Sequence, residues 1–579
     1  MKWSVLRRSL IVVLLAALGA ASVRCEVRRR DLAPGVVFQQ EVVPPPDGPL
    51  VWNVLRVDSK APGIRIQAAL GRDAMLTDEP AKGRETVGEL AARRGALAAV
   101  NADFFPFTGR PLGLTVVDGE VVAEGLPYRA VLGLTADGQV RFDRLTVVAR
   151  LRGPKGDEAA VTGINRLPEK DGLTLLTPVF GARARASSAL TVAELGGVSG
   201  PLRAGVAMEA VVVRVHPGDP AAPIAAGTAL LAGDGSGAQW LQDRLRPGDR
   251  VSVRVDLASS PDGIAPERGG LASRAASRRA GTERSAWADV VQAVGGGPWL
   301  VRGSRIAVDG AQEGFSEREF VEARHPRTAA GVTASGELLL VTVDGRQPHS
   351  RGASLSELAR YLVGLGATDA INLDGGGSTT MVVHGLYVNG PSDGAPRPVA
   401  DALLVLGPAS PDAVKRDAPP LTAAAGGRTQ FDTGGADALF GTLEGRAFVD
   451  QAGVLSSTRA SAGTVVAWTR DLELRAPYRI LPGAAACLVA RLEKAPNDPP
   501  DRNVLSIAAV DAYGNGVPGV CVQIGATGGA PERAEAVTGD TGRVEIEIVW
   551  DADAGRAATV RAEGLKSVRV TPAGAGRRP

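Results

Sequence analysis

The chain has 579 residues, more than one ordinary domain holds and enough for three or four. A 44% hydrophobic and 22% charged composition is that of a globular protein with sizeable cores. A formal net charge of +2, with no basic stripe interleaved with aromatics, argues against a nucleic-acid partner, and the clusters Arg28-Arg29-Arg30 and Arg278-Arg279 read as solvated surface.

At the N-terminus Lys2, Arg7 and Arg8 precede an apolar run over 10–18, and Gly19, Ala20, Ala21 and Ser22 follow. That order of charged, apolar and small residues predicts a secretory signal over 1–22, cleaved or retained as an anchor. The expected location is secreted or cell envelope. Arg24 before Cys25 does not suit a lipid-attachment motif. The two later cysteines, Cys487 and Cys521, lie in apolar strand-like runs and read equally as a disulfide or as two buried thiols. No Cys/His cluster has metal-ligand spacing, so neither a metal nor a cofactor is expected.

Residues 31–409 read as one large α+β unit, in which a mixed sheet carries a strand–helix–strand crossover. Short β-rich segments such as 64–70 and 211–215 alternate with turns, and 261–286 is an aperiodic Ser/Arg/Gly/Ala excursion. The stretch 410–481 reads as a linker and a small β-rich region, followed over 482–572 by an all-β module. In that module Asp511-Ala512-Tyr513-Gly514-Asn515-Gly516 supplies turn chemistry, and Val517-Pro518-Gly519-Val520 leads into the next strand. This signature resembles the bacterial Ig-like domains of surface proteins, and the length suits such a sandwich. The resemblance implies a spacer or presenting module and a route to cell-envelope association.

The chemistry gathers between 324 and 406. An apolar strand over 336–343 ends in Asp344-Gly345-Arg346. Ser354-Leu355-Ser356-Glu357 then has the spacing of a capping box, and Leu355, Leu358, Leu362 and Leu365 recur at helical intervals. A second strand over 370–373 runs into Asp374-Gly375-Gly376-Gly377-Ser378, followed by the β-prone Thr379. A right-handed crossover would set the two strands parallel and bring Asp344, Arg346 and the glycine turn to one rim. The turn itself reads either as an anion nest of backbone N–H groups or as a tight hairpin. Upstream, Thr86-Val87-Gly88-Glu89 repeats the capping box and Val100-Asn101-Ala102-Asp103 repeats Ile371-Asn372-Leu373-Asp374. A duplication whose halves each end a strand in Asn-x-Asp would place Asp103 and Asp374 in related positions.

Six motifs occur in order over 95–406: Asn101-Ala102-Asp103-Phe104-Phe105, Gly295-Gly296-Gly297-Pro298, His325-Pro326-Arg327-Thr328-Ala329, Asp344-Gly345-Arg346, Asn372-Leu373-Asp374 with its glycine turn, and Asn389-Gly390-Pro391-Ser392. The set resembles the phosphodiester glycosidase family. Gly390 departs from it where members often carry Arg, leaving Arg397 as the alternative anion contact. The resemblance implies cleavage between an anomeric carbon and a phosphate oxygen of a glycan or glycosyl-phosphate substrate. Arg327, Arg346 and the turn over Gly375, Gly376, Gly377, Ser378 and Thr379 would stabilise the departing phosphate. Asp374 or Asp103 would serve the anomeric centre, with Asp344 beside them and Asn101 available to a sugar hydroxyl. The competing reading is a non-catalytic surface module that binds phosphorylated or anionic glycans through the same nest.

Overall fold

The computed structural model describes residues 26–572 apart from 47, 78–81, 107, 220–221, 260–286, 409–412, 495–498, 500 and 552–554. The signal over 1–22, Cys25 and the whole of the excursion over 261–286 therefore lie outside the described residues.

The architecture is predominantly β, which corrects the α+β expectation. An eight-stranded and a ten-stranded sheet face each other, and the segment from Leu114 to Gly295 builds the whole of a twelve-stranded third. Among the described residues three α-helices occur: α1 (Val87–Arg94), α2 (Gly235–Arg244) and α3 (Leu355–Gly364). Strand alternation explains the layering. In Leu338–Val343, Leu338 and Leu340 point into the core between the two sheets, packed near Phe38, Leu55 and Val100. Leu339, Val341 and Val343 point the other way, onto Leu355, Leu358, Ala359 and Leu362 of α3. The ten-stranded sheet does the same, with Ala98 and Val100 turned to the shared core and Ala99 turned to Val87, Leu90 and Ala91 of α1. Both helices start in the predicted capping boxes, Thr86 with Glu89 and Ser354 with Glu357.

The predicted β–α–β crossover is also corrected. Leu338–Val343 and Ala367–Asn372, which flank α3, are not neighbours, because Arg327–Thr333 lies between them and pairs antiparallel with both. The same pattern recurs around α1. Arg65–Leu70 and Ala98–Asn101 flank that helix, and Asp401–Leu406 lies between them, antiparallel to both. The registers correspond as well, with Ala402 opposite Asn101 and Ala329 opposite Asn372. Each unit thus ends a strand in Asn-x-Asp, and a backbone bond from Asp374 N–H to the Ala102 carbonyl (2.8 Å) joins the two ends.

The region after 413 is tied to this body. Leu439–Thr442 continues the ten-stranded sheet beyond Leu386–Tyr387. Trp468 stacks on His384 and Phe448 on His349, with ring centroids 4.0 and 4.2 Å apart. Burial behind Trp468 lowers the His384 pKa to about 4. Beyond residue 484, two four-stranded sheets close around Leu505, Ile507, Val522, Ile548 and Val560, the sandwich architecture that the Ig-like resemblance implies. Cys487 and Cys521 are both free and exposed there, which corrects both the disulfide and the buried-thiol reading.

Candidate active site

The two Asn-x-Asp ends meet at one point, and their asparagines hold it together. Asn101 is fully buried; its Nδ2 donates to the Asp374 carbonyl (2.6 Å), and its Oδ1 accepts from the Thr328 hydroxyl (2.8 Å) and Thr380 N–H (3.0 Å). These bonds leave Asn101 as a stitch rather than a sugar ligand. Asn372 has the matching role, donating from Nδ2 to the carbonyls of Gly297 (2.9 Å) and Leu373 (2.8 Å).

Three carboxyls converge beside these stitches. Asp103 Oδ1 accepts from Phe104 N–H (2.7 Å), and its Oδ2 accepts a short bond from Gly113 N–H. Burial pushes its pKa up to about 7; those two N–H bonds and Arg129 oppose the shift, and Asp374 adds to it. Burial likewise pushes Asp374 up to about 6, against a hydrogen bond from Ser378, Gly375 N–H and the charge of Arg397. The third carboxyl, Asp401, is fully buried and accepts Asp103 N–H at Oδ1 (2.8 Å), while its Oδ2 has no partner. Burial, then repulsion from Asp103 and Asp374, holds its pKa well above the ordinary carboxylate range. Arg129 is the nearby cation, lying over the Phe315 ring at 3.9 Å and the Phe104 ring at 5.4 Å. Sequence reading missed both Asp401 and Arg129. An acid heading an apolar strand, and an Arg between Tyr128 and Ala130, carry no local signal. Among the described residues no group of three metal-ligating side chains is arranged to hold an ion.

The glycine turn lies against this cluster, but most of its amides are spent. Gly375 N–H goes to Asp374 Oδ1, Gly376 N–H to the Pro326 carbonyl, Ser378 N–H to Gly375 and Thr379 N–H to Gly376. The expected nest therefore shrinks to at most the Gly377 N–H. What the glycines permit instead is the approach of two guanidiniums. A Cβ on Gly376 would sit 3.3 Å from Arg346 Nη1 and Nη2, and one on Gly377 would overlap Arg397, which is paired with Asp393 (2.6 Å). Arg397 also reaches Ser378 Oγ (3.5 Å), and the Thr379 hydroxyl is buried without a partner.

The remaining candidates divide. Arg346 is exposed, takes φ +60°, and gives one N–H to His325 Nδ1 (3.1 Å). Arg327 is buried and donates to the carbonyls of Ala353 (3.1 Å), Phe320 (2.5 Å) and Ala323 (2.8 Å), so it mainly holds the segment before the rim. Burial and the neighbouring Arg346 lower its pKa to about 10. Asp344 is fully buried; its Oδ2 accepts from Gly390 N–H (2.8 Å) and meets His349 Nε2 (3.2 Å). A Cβ at residue 390 would sit 3.0 Å from that His349 nitrogen, which accounts for Gly390 where an Arg was expected.

Comparison with known proteins adds the chemistry's family. Residues 247–406 match the family model described as phosphodiester glycosidase. Over 111 residues the chain is 40% identical to the N-acetylglucosamine-1-phosphodiester alpha-N-acetylglucosaminidase of Bos taurus, covering 18% of this chain and 21% of that protein. It is 37% identical over 109 residues to the SPbeta prophage-derived uncharacterized protein YomE of Bacillus subtilis (strain 168), covering 19% of this chain and 16% of that one. The matches thus span about a fifth of these relatives' lengths. A crystal structure of a hypothetical protein from Synechocystis superposes with a TM-score of 0.52 at 23% identity, covering 66% of this chain and 64% of that one, and shares the fold. The family match contains the glycine turn, Asp344, Arg346, Arg397 and Asp401, so it is over this stretch that the chain is similar to the phosphodiester glycosidase family.

Proposed function

We propose that this chain is an exported hydrolase that cleaves a glycosyl phosphodiester at the bond between the anomeric carbon and the phosphate oxygen. The observation that carries the reading is a set of carboxyls with raised pKa values beside two guanidiniums that close on a glycine turn. A phosphodiester leaving group is weakly basic, so stabilising its charge matters more than protonating it. Arg346 and Arg397 face the departing phosphate, and Arg327 keeps the neighbouring backbone in place. Asp374 and Asp103 serve the anomeric centre: one, ionised, stabilises the oxocarbenium-like carbon or activates water, and the other holds a proton. Asp401 keeps the cluster partly protonated. The signal-like N-terminal segment supports export, and the C-terminal sandwich is a means of holding the enzyme at the cell envelope. Among the described residues no helix is long and apolar enough to cross a membrane.

Sugar release from an N-acetylglucosamine-1-phosphodiester tests the reading. Asp374→Ala and Asp103→Ala are expected to lower kcat/KM by about 1000-fold or more, within the range that charge stabilisation and acid–base groups supply. With pKa values raised to about 6 and about 7, the form with one proton on the pair peaks between them. Activity should therefore fall on both sides of that window. Turnover that survives both substitutions removes the assigned roles. Glycan binding without any release would favour the non-catalytic module.

A further inference from the structure

Past Arg346 the rim opens into a cavity of about 130 Å³ that three separate parts of the chain build. Arg346 and Ser392 come from the family-matched segment, Arg446 and Arg459 from the β-rich region after it, and Tyr513 from the C-terminal sandwich. The lining holds three guanidiniums and no carboxylate, and among the described residues none of the three is in an ion pair. Elsewhere on this surface an arginine is matched by a carboxylate, as in Arg324–Glu357 (2.8 Å) and Arg397–Asp393 (2.6 Å). The Ser392 hydroxyl oxygen is buried without a hydrogen-bond partner. Arg459 is held in place rather than free to swing away. Its side chain lies across Gly394, where a Cβ would sit 2.9 Å from its Cδ and Nε. Its loop is pinned by Asn515, which donates to the Thr458 carbonyl (2.8 Å) and accepts from Ala460 N–H (2.9 Å). Convergent like charges repel one another, and an anion placed among them removes that cost. A single carboxylate is matched by one guanidinium; a dianion suits several.

We propose that this cavity binds a second phosphate on the leaving-group side of the substrate, so that the preferred substrate is a glycosyl phosphodiester whose aglycone is itself phosphorylated. The proposal rests on the hydrolytic reading above. Arg346 sets the direction, because its guanidinium borders the glycine turn on one side and the cavity on the other. A phosphate cleaved at the turn, with its sugar toward Asp103 and Asp374, carries its other ester group toward Arg446 and Arg459. The turn of the Ig-like module is then a wall of the substrate site rather than part of a spacer.

Three sugar-1-phosphodiesters test this with the full chain, their alcohols being methanol, a glycerol bearing a second phosphate, and an alcohol of similar length bearing a carboxylate. The wild type should show a KM for the phosphorylated ester about 10-fold below the other two, and Arg446→Gln with Arg459→Gln should erase that advantage. Tenfold corresponds to about 1.4 kcal/mol, within the range of a charge-assisted hydrogen bond. Equal KM values for the three esters in the wild type, or a parallel rise for all three in the variant, overturn the proposal. Equal preference for the carboxylate ester overturns the choice of phosphate. Inorganic pyrophosphate binding, measured by calorimetry, needs no turnover. It should weaken about 10-fold in the double variant, and unchanged binding counts against the subsite. Loss of that binding in a protein that releases no sugar leaves the subsite standing and removes the hydrolytic reading.

Discussion

Asp401 behaves as a buried acid whose proton the fold retains, and this has a consequence for stability. Its pKa lies well above the ordinary carboxylate range, first through burial and then through repulsion from Asp103 and Asp374. Below about pH 4 the residue is protonated in both the folded and unfolded chain, so it contributes no pH dependence. Above that, the unfolded chain releases the proton while the folded chain keeps it, so stability falls as pH rises until the folded group ionises too. Asparagine mimics the protonated acid and does not titrate. Asp401→Asn should therefore match the wild type near pH 4 and exceed it progressively toward pH 7, by up to about 1.4 kcal/mol per pH unit. Thermal melts across that range decide it, and a Tm difference independent of pH would remove the explanation. At this scale the sequence was half legible. The echo between Val100-Asn101-Ala102-Asp103 and Ile371-Asn372-Leu373-Asp374 foreshadowed two acids in electrostatic contact. Asp401, some 300 residues from Asp103, offered nothing local to read.

Two sets of glycines separate geometry from function at the level of the element. Gly113 and Gly295 face each other across adjoining backbones, and a Cβ on either would overlap the other's Cα and sit 2.8 or 2.9 Å from Asp103 Oδ2. Backbone cannot swing aside as a side-chain tip can, so Gly113→Ala should cost about 3 kcal/mol and displace Asp103. Gly377→Ala meets only the ends of Arg397 and Asp393. It should shift the denaturation midpoint by less than about 1 kcal/mol while raising the substrate KM about 10-fold, by moving a guanidinium off the turn. Measuring both quantities for both variants tells a tight hairpin from a binding turn. Equal damage to stability from the two would favour the hairpin. The helices were readable because a capping box is written within four residues, as Ser354 and Glu357 show. The crossover misled because strand–helix–strand order does not reveal a third strand inserted from elsewhere. Arg327–Thr333 and Asp401–Leu406 play that part in the two halves. The nest was overread for a similar reason, since the carbonyl that takes Gly376 N–H belongs to Pro326, outside the motif.

Across the whole molecule, the β-rich region and the sandwich complete a rim that the family-matched segment only begins. The sequence signals a change of composition after Pro408, but composition does not reveal that Leu439–Thr442 continues an existing sheet or that Phe448 backs the His349–Asp344 pair. The same limit applies to Asn515. Read locally it is a turn residue, and it does bond Asp511 Oδ2 (2.8 Å), yet its other bonds cross to Thr458 and Ala460. Each such bond is worth about 1 kcal/mol net, so Asn515→Ala should weaken the docking of the sandwich by about 2 kcal/mol and leave the core between the large sheets unaffected. Local opening of this kind is read by hydrogen exchange. The Ala460 amide and the loop over 457–461 should exchange roughly tenfold faster or more, with protection unchanged in Leu338–Val343 and Ala98–Asn101. Unaltered exchange at Ala460 would show that other contacts hold the loop. A uniform loss of protection across both large sheets would instead make the sandwich a determinant of global stability, with no special bearing on the rim.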